Sequence, residues 1–480
     1  GENRKLKRVL GALARQGLDV THDGRVYRVR LQGDRRAPTA EVLLPLDFPV
    51  EAKALRQLAN LAAVRHPDGG AVRRACASPD FHPGDAGVAI GSVVETEGMV
   101  IPAAVGSDIN CGMRLHVVDV APERLLAVRD AFVRRMSGDY LLGTRDLPMS
   151  AAAMRALFEG GVSPWLDRVR ARPLGAMRRA DLDQLARELS RVHLGGGLRG
   201  ARRWAPEDLV PDDGDVRDGG LATIGGGNHF VEVQRVAAVV DRRLAYAWGV
   251  REGQLAFMIH SGSRGVGKHV GALWRLRARE AWPRGCSHPV DGMFSLSRAR
   301  DPAAVDDYLE AEATAANYGF VNRLLLAELM RACLRELLGD VEAPLVYDLP
   351  HNITLPSGEG RWITRKGACP AAAGQPVIIP GSMGADSYLL VGQGLEAMLC
   401  SASHGAGRAT SRFAMSRRGA RHDARALGLQ GVDCVTLRDE RRIEEAPAAY
   451  KPIGPVIDCQ VRAGSIAAVA RLEPLLTFKA

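Results

Sequence analysis

Gly106-Ser-Asp-Ile-Asn-Cys-Gly-Met113 puts two metal-ligand side chains, Asp108 and Cys111, three positions apart. They can face one centre if the turn between them is tight, and Gly112 permits a close backbone approach. Four further segments share the form of a short apolar run followed by a polar cluster with glycine or proline and a metal-ligand residue. They are Gly225-Gly-Gly-Asn-His-Phe-Val-Glu232, His260-Ser-Gly-Ser-Arg-Gly265, Tyr347-Asp-Leu-Pro-His-Asn-Ile353 and Ser403-His-Gly-Ala-Gly-Arg408. Thiolate is a soft ligand and imidazole a borderline one, so the set suits a transition metal rather than calcium. A thiolate can also bridge two metals, and paired metals roughly 3.5–4 Å apart stabilise both the attacking and the leaving oxygen in phosphoryl chemistry.

Working outward, the chain has 480 residues, 46% of them hydrophobic and 25% charged. This is ordinary globular usage with length enough for a sizeable core. A metal would therefore serve chemistry rather than staple the fold. No run of eighteen apolar residues suggests a membrane span, and the basic stretch from Gly1 to Gly17 lacks the apolar core of a secretory signal. The eight cysteines include no C-x-x-C pair, which argues against a zinc ribbon or thioredoxin-like site and fits a reducing cytoplasm. The net charge of +9 tilts toward a polyanionic partner such as nucleic acid. Only seven of the 64 basic residues are lysine. A GC-rich genome would produce the same arginine excess, so lysines are the more informative cations.

Residues 1–50 read as a small N-terminal extension with one alternating strand, Gly24-Arg-Val-Tyr-Arg-Val-Arg-Leu31, and residues 51–480 as one mixed α/β (α+β) domain. Helical spacing of apolar residues predicts helices over Glu51 to Val64, Ala176 to Val192 and Val305 to Leu338. The last is expected to break near Asn317-Tyr-Gly-Phe, because glycine weakens a helix interior. Short apolar runs at Val88–Val94, Leu255–Ile259, Pro376–Ile379 and Ser387–Val391 read as strands, and the acidic Trp204–Gly220 stretch as an exposed connection. A lone histidine beside an apolar run is more often a hydrogen-bonded core residue than a ligand. His22, His66, His193, His269, His288 and His422 are read that way, with His82 and His116 between the two readings.

Taken together, the five segments resemble the RtcB RNA ligase family. Further matches are Pro79-Asp-Phe-His-Pro-Gly84, Arg365-Lys-Gly-Ala368, Pro380-Gly-Ser-Met-Gly384 with Ser387-Tyr388, Glu445-Ala-Pro-Ala-Ala-Tyr-Lys451, and Lys479 beside the C-terminus. They run in the family's order from about residue 55 onward. The resemblance implies a mixed α/β fold with the active site between central sheets surrounded by helices. It implies an RNA ligase joining 2′,3′-cyclic phosphate or 3′-phosphate ends to 5′-hydroxyl ends, with GTP and two manganese ions, in RNA repair or tRNA splicing. One metal would take Cys111, His260 and His351, and the other Asp108, Cys111 and His229. His404 would carry the guanylyl group. Asn228, Glu232, Ser382, Ser387, Gly405, Gly407, Arg408, Tyr450 and Lys479 would hold the nucleotide, and Arg264, Asn352, Lys366 and Arg412 would meet phosphates or RNA ends. Asn110, where some members have glycine, and the context of His351 look like a side branch encoded beside a release-factor-like protein. An archaease-like or release-factor-like protein is thus a candidate helper.

Four rival readings carry less. Gly262 to Lys268 matches G-x-x-x-x-G-K, but His269 follows where a Mg²⁺-holding Ser or Thr belongs. Lys451-Pro-Ile-Gly454 has a lysine-ligase spacing without the acidic residue. A metal phosphodiesterase could use the same ligands, yet needs neither GTP nor His404. A non-catalytic RNA-binding protein could use Arg408, Arg412, Arg417, Arg418, Arg421 and Arg425 as a phosphate-binding face.

Overall fold

The computed structural model of the chain describes residues 2–410, 412–419 and 424–480; Arg421 and His422 lie outside the described residues. Two large sheets organise it. The first runs in the order Leu18–His22, Val26–Leu31, Ala40–Leu43, Ala71–His82, Ile90–Glu97, Arg361–Lys366 and Asn352–Gly358. The second runs Leu345–Pro350, Gly112–Val118, Leu255–Ser261, Phe230–Val239, Ile466–Phe478, Ser387–Gly392 and Pro376–Ile379, with Cys434–Val435 alongside Ile466–Phe478. Neighbours are antiparallel except Ala40–Leu43 on Ala71–His82 and Cys434–Val435 on Ile466–Phe478. The mixed α/β class follows. The sheets meet at His351, the one residue between Leu345–Pro350 in the second sheet and Asn352–Gly358 in the first.

The first fifty residues do not stand apart in their packing. Their strands extend the first sheet, and Leu13, Leu18, Tyr27 and Val29 share a buried cluster with Leu55, Leu58, Val94 and Met99. The helix expected from residue 51 is present as Ala52–Ala62 and supplies part of that cluster. No helix among the described residues is long and apolar enough to cross a membrane.

Pro302–Leu338 is one unbroken helix of 37 residues, so the break expected near Asn317-Tyr-Gly-Phe is corrected. The glycine serves an approach instead: a Cβ on Gly319 would lie 3.1 Å from Asn110 atoms. The helix is buried on nearly every face, and tertiary packing outweighs the local propensity cost. By contrast, the long helix expected over Ala176 to Val192 is three short turns, Gly175–Arg178, Leu182–Arg187 and Glu188–Arg191. Asp181 interrupts it by capping the middle piece, its carboxylate accepting from Gln184 N–H at 3.0 Å. Trp204–Gly220 is irregular as expected, but Trp204, Leu209 and Val216 are buried, so it covers core rather than lying free.

Polar residues of the central helix lock the loops around His351. Arg323 is fully buried and donates to Ser261 O at 3.0 Å, to Asn110 Oδ1 at 2.9 Å and to both Asp348 carboxylate oxygens. Arg114 reaches the same carboxylate at 3.4 Å. Asn322 donates to Gly262 O at 2.9 Å and Ser261 Oγ at 3.1 Å. Asp348→Ala would leave two buried guanidinium groups without a counter-charge, which costs about 3–5 kcal/mol. Urea unfolding should show a clearly lowered midpoint; an unchanged midpoint would contradict the role given to this ion pair.

Candidate active site

Adjacent strands of the second sheet deliver the histidines and the cysteine to one end. Cys111 immediately precedes Gly112–Val118, His229 precedes Phe230–Val239, His260 is in Leu255–Ser261, and His351 follows Leu345–Pro350. Register brings them level: Gly112 pairs with both Ser261 and Pro350, and Phe230 pairs with His260. His351 N–H also donates to Cys111 O at 2.8 Å. Two donor groups result, Cys111 with His260 and His351, and Asp108 with Cys111 and His229.

The donor chemistry fits metal ions. His229 Nδ1–H donates to Ile224 O at 3.0 Å and His260 Nδ1–H to Asn228 O at 3.1 Å. These anchors leave each Nε2 as a bare lone pair, the arrangement usual for histidine ligands. His260 Nε2 lies 3.2 Å from Cys111 Sγ and 3.3 Å from His351 Nε2, while His229 Nε2 lies 3.2 Å from Cys111 Sγ and 2.9 Å from Asp108 Oδ2. Lone pairs converging this closely repel unless a cation lies among them. Burial holds His260 and His351 well below the usual imidazole range, so both are neutral, as ligands must be. Burial and the Asp108 carboxylate push the Cys111 thiol well above its ordinary value; a bound cation would reverse that by stabilising the thiolate.

His404 follows the short strand Ser401–Ser403 and stacks at a tilt on His351, the ring centroids 4.7 Å apart. Its Nδ1–H donates to Asp80 Oδ2 at 2.6 Å, and its backbone N–H to the same oxygen at 3.2 Å. Nε2 is therefore the free nitrogen. Asp80 is fully buried and its Oδ1 has no hydrogen-bond partner. A cavity of about 740 Å³ opens over Asp108, Cys111, His260, His351 and His404 and extends to Glu232, Tyr450, Thr477 and Lys479. Burial pushes Glu232 up to about 7, although Gln234 at 2.9 Å and Thr477 at 2.7 Å donate to its carboxylate.

The family model described as tRNA-splicing ligase RtcB matches residues 57–480. The chain belongs to the RtcB family of RNA ligases. It is 34% identical over 462 residues to the tRNA-splicing ligase RtcB of Archaeoglobus fulgidus, covering 89% of this chain and 91% of that protein. It is 32% identical over 451 residues to the tRNA-splicing ligase RtcB of Pyrobaculum aerophilum, covering 85% and 88%. Against the RNA-splicing ligase RtcB of Mycobacterium tuberculosis the identity is 34% over 453 residues, covering 87% and 99%.

Within this RtcB-family chain, most residues singled out from sequence meet at the cavity. Asn228, Ser382, Gly405, Gly407, Arg408, Arg412, Asn352 and Lys366 line it with those above. Two do not. Ser387 is buried behind the wall, its Oγ accepting from Gly381 N–H at 3.1 Å, so it braces the Pro380–Gly384 loop. Arg264 packs on Gly225 and donates to Thr223 Oγ1 at 3.2 Å, supporting the loop before His229. Asn352 is committed on both sides of its amide, donating to Asp108 O at 3.0 Å and accepting from Gly367 N–H at 2.8 Å. Arg408 and Arg412 both pair with Glu445, at 2.9 and 2.7 Å, and Tyr450 donates to the same carboxylate. Asn110 has φ 53°, in the left-handed region where glycine is at ease and asparagine tolerated. Asparagine and glycine both fit that backbone.

Sequence reasoning missed Asp80 and Glu445. Both stand in quoted motifs, but their partners lie 324 and 37 residues away respectively. The rival motifs have structural explanations. A Cβ on Gly262 would lie 2.5 Å from Asp108 Oδ1, so that loop is packed shut against Asp108. Lys451 is buried, its Nζ donating to Pro79 O and Phe81 O.

Because both donor groups contain Cys111, Cys111→Ala should retain less divalent metal after dialysis than any other single ligand substitution. Elemental analysis showing full occupancy in that variant would refute the shared thiolate.

Proposed function

We propose that the chain is a GTP- and manganese-dependent ligase that joins RNA 2′,3′-cyclic phosphate or 3′-phosphate ends to 5′-hydroxyl ends, by way of guanylylated His404 and an RNA-ppG intermediate. The observation that carries this reading is His404 itself: its Nδ1 is tied to Asp80 while Nε2 is left free beside the metal-ligand cluster. A hydrolase using the same ligands has no need of a second, non-ligating imidazole so positioned.

Asp108, Cys111, His229, His260 and His351 would hold two manganese ions, which when bound would neutralise phosphate charge and polarise the phosphorus. His404 Nε2 attacks the α-phosphorus of GTP; the N–P bond forms and pyrophosphate leaves. Asp80 keeps the ring in the right tautomer and offsets its developing positive charge. An oxygen of an RNA 3′-phosphate then attacks that phosphorus and breaks the N–P bond. The 5′-hydroxyl of the second RNA attacks the activated 3′-phosphate and releases GMP. A cyclic end is first opened to the 3′-phosphate. Glu232 suits guanine because a carboxylate accepts from N1–H and the exocyclic amine, a pair adenine does not offer. Lys366, on the cavity wall and near Asp108, is the candidate for an RNA-end phosphate. By resemblance the work is RNA repair or tRNA splicing in the cytoplasm, with an archaease-like or release-factor-like protein as candidate helper.

Incubation with α-labelled GTP and Mn²⁺ should label the protein, and His404→Ala should abolish the label. Undiminished labelling of that variant would remove His404 as nucleophile. A second expectation concerns pH. Guanine binding uses the Glu232 carboxylate, and burial raises its protonation to about pH 7. GTP affinity should therefore fall as pH drops from 8 to 6, since binding must first release that proton. Calorimetry in a His404→Ala background should record this fall, and the Glu232→Gln change should flatten it. Identical pH profiles with and without that change would contradict the assignment.

A further inference from the structure

Asp80 orients two imidazoles, not one. Its carboxylate takes His404 Nδ1–H at 2.6 Å, and its backbone carbonyl takes His82 Nδ1–H at 2.8 Å. In each ring the proton is thereby placed on Nδ1 and Nε2 is left bare. Both side chains line the same cavity. His404 has a role in the reading above; His82 has none.

The segment that carries His82 is held on both sides. Lys451 Nζ donates to Pro79 O at 3.2 Å and to Phe81 O at 2.7 Å, bracketing Asp80. Beyond His82, the Gln57 amide donates to Gly84 O at 2.8 Å and accepts from Gly84 N–H at 3.0 Å. A Cβ on Gly84 would lie 1.8 Å from Val88 O, so the turn after His82 is tightly closed. A ring oriented through Nδ1, on backbone fixed this firmly, with Nε2 unused at a cavity wall, is what a positioned proton acceptor requires.

From an RNA that already ends in a 3′-phosphate, the chemistry has one opening for such a group. This argument rests on the guanylylation reading. Attack by His404 Nε2 on GTP, and attack by an RNA phosphate oxygen on the guanylylated histidine, use nucleophiles with no proton to lose. The sealing step uses a hydroxyl, which must lose one. We propose that His82 Nε2 accepts the proton of the RNA 5′-hydroxyl as that oxygen attacks the guanylylated 3′-phosphate. The O–H bond breaks toward Nε2, the new O–P bond forms, and the P–O bond to GMP breaks. GMP leaves as an anion and takes no proton in that step; the imidazolium later returns its proton to water.

Burial pushes His82 down to about 4, so the ring is neutral in the free protein and its lone pair is available. Asp80 acts on it in the opposite sense, and the arriving phosphates add to that upward pull. The base is therefore strongest when RNA is bound.

The test uses the full chain with GTP, Mn²⁺, an RNA ending in a 3′-phosphate and an RNA beginning with a 5′-hydroxyl. Labelling of His404, RNA-ppG and sealed product are followed in the unsubstituted protein, His82→Ala and His82→Asn. The asparagine amide can replace Nδ1–H toward Asp80 O but has no basic nitrogen. In both variants labelling should persist, RNA-ppG should accumulate, and sealing should fall by roughly 10²–10⁴-fold, the usual contribution of a general base. Sealing at the unsubstituted rate by His82→Asn would overturn the proposal in favour of a purely structural ring. Joint loss of labelling and sealing in both variants would also overturn it, since His82 would then act through His404. No labelling of the unsubstituted protein would remove the guanylylation reading, and this proposal with it.

Discussion

The buried guanidinium of Arg323 ties together the parts on which the site depends. From the middle of the Pro302–Leu338 helix it holds Asn110 in the Asp108–Cys111 turn, Ser261 beside His260, and Asp348 three residues before His351. Three ligand-bearing segments thus share one cation. A buried ion pair is weak evidence for net stability, but removing one partner is expensive. Its physical effect here is to set register: the segments cannot slide relative to one another without leaving a charge unpaired. Gly319 and Asn110 complete the contact, one by lacking a side chain and the other by accepting a left-handed backbone.

Above that support, two kinds of histidine are separated by what holds their Nδ1. In His229 and His260 a backbone carbonyl takes the Nδ1 proton, and Nε2 turns toward Cys111. In His404 a carboxylate takes it. A carbonyl fixes a tautomer, whereas a carboxylate also stabilises positive charge on the ring. The second arrangement suits a nitrogen that forms and later breaks a bond to phosphorus. His82 is fixed by a carbonyl but lies outside both donor groups, which is why its role must be sought in the reaction rather than in metal binding.

Much of the site was legible because its residues stand in compact motifs after apolar strands. Asp108, Cys111, His229, His260 and His351 come from four separate segments, and the structure gathers them into the two groups expected. What escaped was information carried by distant pairing. Asp80 meets His404 only once the short Ser401–Ser403 strand packs against Ala71–His82, and Glu445 meets Arg408 only across 37 residues of chain. Ser387 and Arg264 do not line the cavity, and motif position says nothing about which way a side chain turns. In the fold, short strands such as Pro376–Ile379 were read correctly from apolar runs. The central helix was misjudged because its glycine answers a tertiary contact with Asn110, and the helix expected over Ala176 to Val192 because Asp181 supplies a local cap.

The central claim is that one imidazole, already oriented by Asp80, carries the guanylyl group. Mass spectrometric mapping of the protein after incubation with GTP and Mn²⁺ tests it most directly. The account predicts a single GMP adduct on the peptide containing His404, lost in mild acid as a phosphoramidate is. An adduct on Lys451 or Lys479, or an acid-stable one, would contradict it.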